Sequence, residues 1–280
     1  MSAAAQSPSL RFRAARRFAA SLGIAASIVM ATGVAYAQDE SDVAVQLTNP
    51  IANLIQMPFH HNFDLGGGHS GDAARYTMNF QPVIPVRLNS DWNLISRTII
   101  PFTSWSGVFP HTERGVSDIA QSFFFSPAGS SPSGTVWGAG PILLLPTGTN
   151  DVFSRGQWAA GPTGVALQMK GAWTYGVLAN HLWSVSAAPT GLQRVNASFF
   201  QPFLTYTLPT QTTVFVTSEA THDWNARQWT VPINVGLNQL VSIGGQMVQF
   251  GGLVRYYAEK PAGGPTWGFQ FRMVLIFPVP

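Results

Sequence analysis

The 280 residues contain no cysteine, which excludes a disulfide scaffold, a thiolate metal site and a cysteine nucleophile. Charge is scarce as well. Asp, Glu, Lys and Arg make up 10% of the chain, against roughly 25% in soluble domains. Past Gln38 no apolar run approaches the roughly 18 residues of a transmembrane helix. No phosphate loop, dinucleotide fingerprint or paired-carboxylate motif occurs, so no cofactor is assigned. What the chain does have is 12% aromatic residues and 27 glycines. Low charge and high aromatic content without a spanning helix point to an all-β chain that crosses a membrane as an antiparallel barrel.

The amino-terminal stretch is read as a secretory signal rather than as part of the fold. Arg11, Arg13, Arg16 and Arg17 form a basic region, Phe18 to Val34 is apolar and alanine-rich, and Ala35-Tyr36-Ala37 gives a small-x-small cleavage site. Residues 1–37 are therefore expected to be removed. Four of the 15 Lys and Arg go with them and none of the 12 Asp and Glu, leaving 11 against 12 and a formal charge of −1. The positive charge of the full chain belongs to the signal and does not argue for nucleic acid. Residues 38–52 are expected to form a periplasmic amino-terminal segment, with a short helix or plug from Asp42 to Ala52, and residues 53–280 the barrel.

Alternation with a period of two runs through that region and predicts about twelve strands. In the last one, Trp267, Phe269, Phe271, Met273, Leu275 and Phe277 share a face; Thr266, Gly268, Gln270 and Arg272, then Val274 and Ile276, share the other. A lipid-facing aromatic and apolar face backed by a polar, lumen-facing one is the barrel signature. The spacing predicts strands near 53–62, 76–88, 92–102, 115–126, 134–145 and 157–169, then 172–184, 194–207, 212–220, 228–239, 246–257 and 266–277. Longer connections alternate with shorter ones, as expected of extracellular loops and periplasmic turns, a contrast that fades late in the chain where 221–227 and 240–245 are nearly equal, and an even strand count leaves both termini periplasmic. Trp92, Trp105, Trp158, Trp173, Trp183, Trp224, Trp229 and Trp267 fall near predicted strand ends and read as interfacial girdles.

Several segments in this order resemble the outer-membrane family known as the MetA-pathway of phenol degradation. They are Asn49-Pro50-Ile51-Ala52 with Pro58-Phe59, Phe80-Gln81-Pro82-Val83-Ile84-Pro85, Trp137-Gly138-Ala139-Gly140-Pro141, Trp229-Thr230-Val231-Pro232, Ile243-Gly244-Gly245, and Gly264 to Gly268 through Ile276-Phe277-Pro278. The resemblance implies a Gram-negative outer-membrane barrel that passes hydrophobic or aromatic compounds, and it supplies no catalytic motif. Its partners would be outer-membrane lipids, small-molecule solutes and the insertion machinery. Many barrels end on an aromatic residue read by that machinery; here Pro278-Val279-Pro280 follows Phe277.

Candidate lumen-lining residues follow from parity: Gln81, Arg87, Arg97, Glu219, Arg255, Gln270 and Arg272. Arg97 shares its face with Ile95 and Ile99. If the last strand closes on the first, the four arginines gather at one seam. They then form either a basic ring that selects solutes or a filling of the lumen paired with Glu219, Asp118 or loop carboxylates. Phe80-Gln81-Pro82 recurs as Phe200-Gln201-Pro202, but Gln201 shares parity with Val195, Phe199 and Phe203, which argues against two matching inward amides. His60, His61 and His69 lie near Asp64 and Asp72 without the spacing of a metal site. A barrel hydrolase is the enzymatic alternative, with Ser, His and Asn together in Asn180-His181-Leu182-Trp183-Ser184. Parity puts His181 and Ser184 on opposite faces, so the chain is read as a non-enzyme. A structural barrel with a sealed lumen remains the third reading.

Overall fold

Alternating side chains hold a strand in a sheet only if both faces find their solvent, and here one face meets lipid and the other meets a filled lumen. The structure, a computed structural model, describes residues 40–129, 131 and 133–279; the expected signal peptide lies outside them. Twelve antiparallel barrel strands follow one short helix, α1 (Glu40–Gln46). They are β1 (Ile55–Gly67), β2 (Ala73–Phe80 and Val83–Arg87), β3 (Trp92–Ser106), β4 (Glu113–Val116 and Ile119–Pro127), β5 (Thr135–Leu145) and β6 (Ala159–Lys170). The second half holds β7 (Trp173–Ser184), β8 (Asn196–Thr207), β9 (Thr212–Ser218 and Ala220–Asp223), β10 (Gln228–Ile243), β11 (Gln246–Glu259) and β12 (Trp267–Phe277). Each strand pairs with its neighbour in sequence, and β12 returns to β1 in continuous register from Ile55 opposite Phe277 to Leu65 opposite Trp267. Closure removes the sheet edges that lipid cannot hydrogen-bond.

The outward face carries the apolar belt. Val216, Val235 and Val254 are exposed and sit side by side on β9, β10 and β11. Trp92, Trp137 and Trp173 open their strands at the end that holds the termini; Trp158, Trp183, Trp224 and Trp267 lie at the other end, all exposed. Two aromatic girdles therefore bracket the belt. On the terminal side the turns are 88–91, 128–134, 171–172, 208–211 and 244–245, and on the far side the loops reach 146–158 and 185–195. Short turns with the termini mark the periplasmic end. Trp105 departs from the girdle expectation. It shares the inward parity of buried Thr103, lines the lumen, and packs edge-on against Phe153 of the long 146–158 loop.

Three strands lapse, and the first two of these lapses have identifiable causes. Pro82 has no N–H to give the ladder, so β2 breaks there while Gln81 N still donates to Pro58 O and Thr98 N to Pro82 O. Strand β4 breaks at Ser117-Asp118, where the Asp118 carboxylate accepts from Gly148 N, Ser154 Oγ and Arg155 N and so anchors the 146–158 loop. Strand β9 lapses at Glu219, opposite Gln201-Pro202 in register.

The amino-terminal segment occupies the periplasmic half of the lumen. Val43, Ala44 and Leu54 are buried against Leu240, Val274 and Ile276. Ile51 is buried against Val83, Ile95, Phe124, Val165, Leu167 and Leu178, inward residues of β2, β3, β4, β6 and β7. Neighbours on so many strands require a position inside the wall. Thr48 Oγ1 donates to Val45 O and lies 2.8 Å from Thr174 Oγ1 of β7, and the Asn49 side chain accepts from Ile51 N. The apolar inward residues of the periplasmic third are thus a core closed around this segment, and burying Ile51 there contributes roughly 1.5–3 kcal/mol.

Candidate functional site

Above the segment the inward faces turn polar, and the lumen holds two cavities. The one nearer the extracellular loops, about 290 Å³, is lined by Asn62, Asp64, Arg75, Trp105, Glu219 and Arg255 among others. The other, about 180 Å³, has Leu47, Thr48, Asn49 and Pro50 as one wall and Arg97, Arg272 and Phe215 among the rest. His60, Gln81 and Glu219 border both.

Strand closure assembles the charges of the first cavity. Asp64 on β1 is nearly fully buried and accepts from Arg75 Nη2 at 2.9 Å on its cross-strand neighbour, from Arg255 Nη1 at 3.1 Å, and from Tyr257 Oη at 2.7 Å. Arg255, itself buried, donates to Glu219 Oε2 at 3.1 Å, Asn234 Oδ1 at 2.8 Å and Asn62 Oδ1 at 3.3 Å. Both carboxylates therefore face arginines, and a charge away from bulk water is tolerable when it is paired and hydrogen-bonded in this way.

Arg97 and Arg272 are held differently. Arg97 Nη2 donates to Gln81 Oε1 at 3.2 Å. Arg272 Nε donates to Gln270 Oε1 at 2.8 Å, Gln270 in turn donates to Asn62, and the Arg272 guanidinium lies 4.8 Å from the centre of the Phe215 ring. Gly236 makes room for that ring, since a Cβ there would come within 2.7 Å of Phe215 Cζ. Among the described residues, neither arginine forms an ion pair.

Of the residues expected from parity, Gln81, Arg97, Glu219, Arg255, Gln270 and Arg272 all reach the lumen. Arg87 does not. It has the inward parity of Val83 and Pro85 but sits at the exposed periplasmic end of β2, donating to Asn89 O. Gln201 corrects the parity argument made against it, because it lines the same cavity as Gln81. Its apolar companions Phe199 and Phe203 also point inward, where they pack against the core around Ile51. Asp64 and Arg75 were missed as lumen residues because the expected strands stopped short of them, at Asn62 and Tyr76, whereas Tyr257 lay within the expected strand 246–257 on the parity of Arg255 and was passed over. Extending the alternation from Asn62 to Asp64 and from Thr77 to Arg75 finds the first two. Of the metal suggestion, His60 faces the lumen, whereas His61 bonds to Tyr76 Oη at 2.7 Å. Among the described residues no group of three or more His, Asp or Glu is placed to hold a metal ion.

The hydrolase suggestion takes a different form in three dimensions. Ser184 is buried and hydrogen-bonds to Gln157, away from His181. His181 meets β8 instead: its Nδ1 lies 2.8 Å from Ser198 Oγ and its Nε2 lies 3.0 Å from Asn196 Oδ1. Ser198 is buried beneath this cluster and accepts from Trp224 Nε1 at 2.9 Å.

No family model matches the chain, and no curated protein matches it. Solved structures do. The COG4313 outer membrane channel from Pseudomonas putida F1 is similar with a TM-score of 0.64 at 15% identity, over 80% of this chain and 96% of that one. Outer membrane phospholipase A from Escherichia coli gives a TM-score of 0.45 at 14% identity, over 85% and 98% respectively. At such identities the likeness is one of fold, that of a twelve-stranded outer-membrane barrel.

Proposed function

We propose that the chain is an outer-membrane channel for small hydrophobic or aromatic solutes, with the amino-terminal segment setting its aperture at the periplasmic end. The observation that carries this is a lumen of two cavities bordered by shared residues, polar toward the loops and part-apolar above the segment. A solute moving inward meets Trp105 and Phe153 near the loops, then the arginine seam, then Phe203 and Phe215. Weak contacts in series suit passage, because binding must favour entry without preventing exit. That the similar Pseudomonas putida barrel is a channel supports the reading, and the family resemblance supports the solute class. The test is conductance of the refolded mature chain in a planar bilayer together with entry of labelled phenol into proteoliposomes. An inserted, heat-modifiable barrel with neither current nor entry above protein-free membranes sinks it.

The enzymatic reading has one observation behind it, the Ser198–His181–Asn196 chain. With Asn196 Oδ1 accepting from Nε2–H, Nδ1 is left to take the Ser198 proton, as nucleophile activation requires. Against it, Trp224 already donates to Ser198 Oγ. Neighbouring backbone N–H groups lie within the β7–β8 and β8–β9 ladders, so among the described residues no backbone donor pair there is left for a developing oxyanion. Labelling of Ser198 by a fluorophosphonate would reverse this preference.

A further inference from the structure

The two cavities differ in what their arginines touch. In the upper one Arg75 and Arg255 are paired with Asp64 and Glu219. In the lower one Arg97 and Arg272 rest on amide oxygens and a phenyl ring, and the carboxylate that shares their cavity, Glu219, already takes Arg255. We propose that the lower cavity binds a single-ring aromatic carboxylate, its carboxylate held by Arg97 and Arg272 and its ring laid against Phe203, Phe215 and Leu253. This rests on the channel reading and specifies the solute the channel selects.

Size, polarity and free donors agree. The cavity is about 180 Å³, and an apolar cavity of about 150 Å³ takes up benzene, so one ring with a small anionic group fits and a long acyl chain does not. Arg272 has its Nε committed to Gln270 and its face to Phe215, which leaves the outer edge of the guanidinium for a planar carboxylate; that edge matches a carboxylate in two-point contact. Gln56 Nε2 and Thr205 Oγ1 are buried without a protein partner among the described residues. Thr205 and Gln56 both line this cavity, so two side chains with an unused donor stand in its wall. Asn238 Oδ1 on the same wall is also unpartnered.

The experiment is calorimetric titration of the refolded mature chain in detergent micelles with benzoate, benzyl alcohol and acetate. Benzoate is expected to bind at one saturable site, about tenfold or more tighter than either of the others, since a hydrogen bond to a charged group is worth roughly that factor. Arg97→Gln and Arg272→Gln should each weaken benzoate about tenfold and leave benzyl alcohol unmoved, Arg272→Lys should weaken it less, and Arg87→Gln should not weaken it. Heat-modifiable gel mobility checks that each variant has folded, and Phe215→Leu, which keeps every charge, is the second probe and should weaken benzoate and benzyl alcohol alike. Equal binding of benzyl alcohol and benzoate overturns the anionic part; equal binding of acetate reduces the site to an ion site and overturns the ring part. Benzoate binding indifferent to both arginine variants overturns the location. Proteoliposome entry of benzyl alcohol separates the two readings. Entry without benzoate binding removes the proposed site and leaves the channel standing, whereas binding without entry keeps the site and removes the channel.

Discussion

Asp64 shows how one side chain organises the upper lumen. It receives two arginines and a tyrosine while almost wholly buried, so replacing it leaves Arg255 with Glu219 as its one carboxylate and removes the acceptor of Arg75 and Tyr257. Asp64→Asn is expected to destabilise the folded barrel by about 1.5–3 kcal/mol, the worth of hydrogen bonds to a buried charged group. A lowered urea midpoint, followed by tryptophan fluorescence, checks this. Arg87→Gln, at the exposed rim, should stay within about 0.5 kcal/mol of the parent in the same assay. Selectivity should divide along the same line. Four lumen arginines face two carboxylates, so the open channel should prefer anions; Arg97→Gln or Arg272→Gln should reduce that preference in reversal-potential measurements, and Arg87→Gln should leave it unchanged. Most of these residues were legible from parity, because the inward faces of β2, β11 and β12 alternate strictly. Arg87 was misjudged because parity gives a direction and not a depth along the barrel.

The elements divide into a wall and a filler. The seven-residue helix and the chain that follows it bury Val43, Ala44, Ile51 and Leu54 against seven strands of the wall, and they end beside the lower cavity. Deleting residues 40–52 should therefore raise single-channel conductance while the barrel still folds; a deletion variant that folds and conducts as the parent does would refute the aperture role. The cysteine-free chain permits a complementary test. Thr48 Oγ1 and Thr174 Oγ1 are 2.8 Å apart, so Thr48→Cys with Thr174→Cys should form a disulfide that pins the segment. Oxidation is then expected to suppress any larger openings, and reduction to restore them. A helix or plug from Asp42 to Ala52 was expected from its position before the first strand, and α1 spans Glu40–Gln46. The segment's place within the lumen was not readable, since the apolar inward residues that receive it are scattered from Val83 to Ile276.

As a whole the molecule is a closed sheet with lipid outside and a charged, partly filled lumen inside. The exposed Val216, Val235 and Val254 patch is the place to test that orientation. Val235→Arg should cost about 2–4 kcal/mol on folding into bilayers if it lies near the membrane midplane. Equal stability of that variant and the parent would contradict the lipid-facing assignment.

Sequence alone determined the wall. A side-chain period of two fixes which residues share a face, and the length contrast between turns and loops fixes which end carries the termini, so the strands, their orientation and the girdles other than Trp105 followed from local pattern. The site was decided by tertiary structure. Asp64 meets Arg255 across 191 residues of chain because β12 closes on β1 and β11 lies beside it. Gln81 and Gln201 line one cavity although their inward neighbours are unlike. The segment around Ile51 makes an apolar core where periodicity alone would put a wet lumen. Each of these depends on the distance between groups remote in sequence, which alternation along a single strand does not encode.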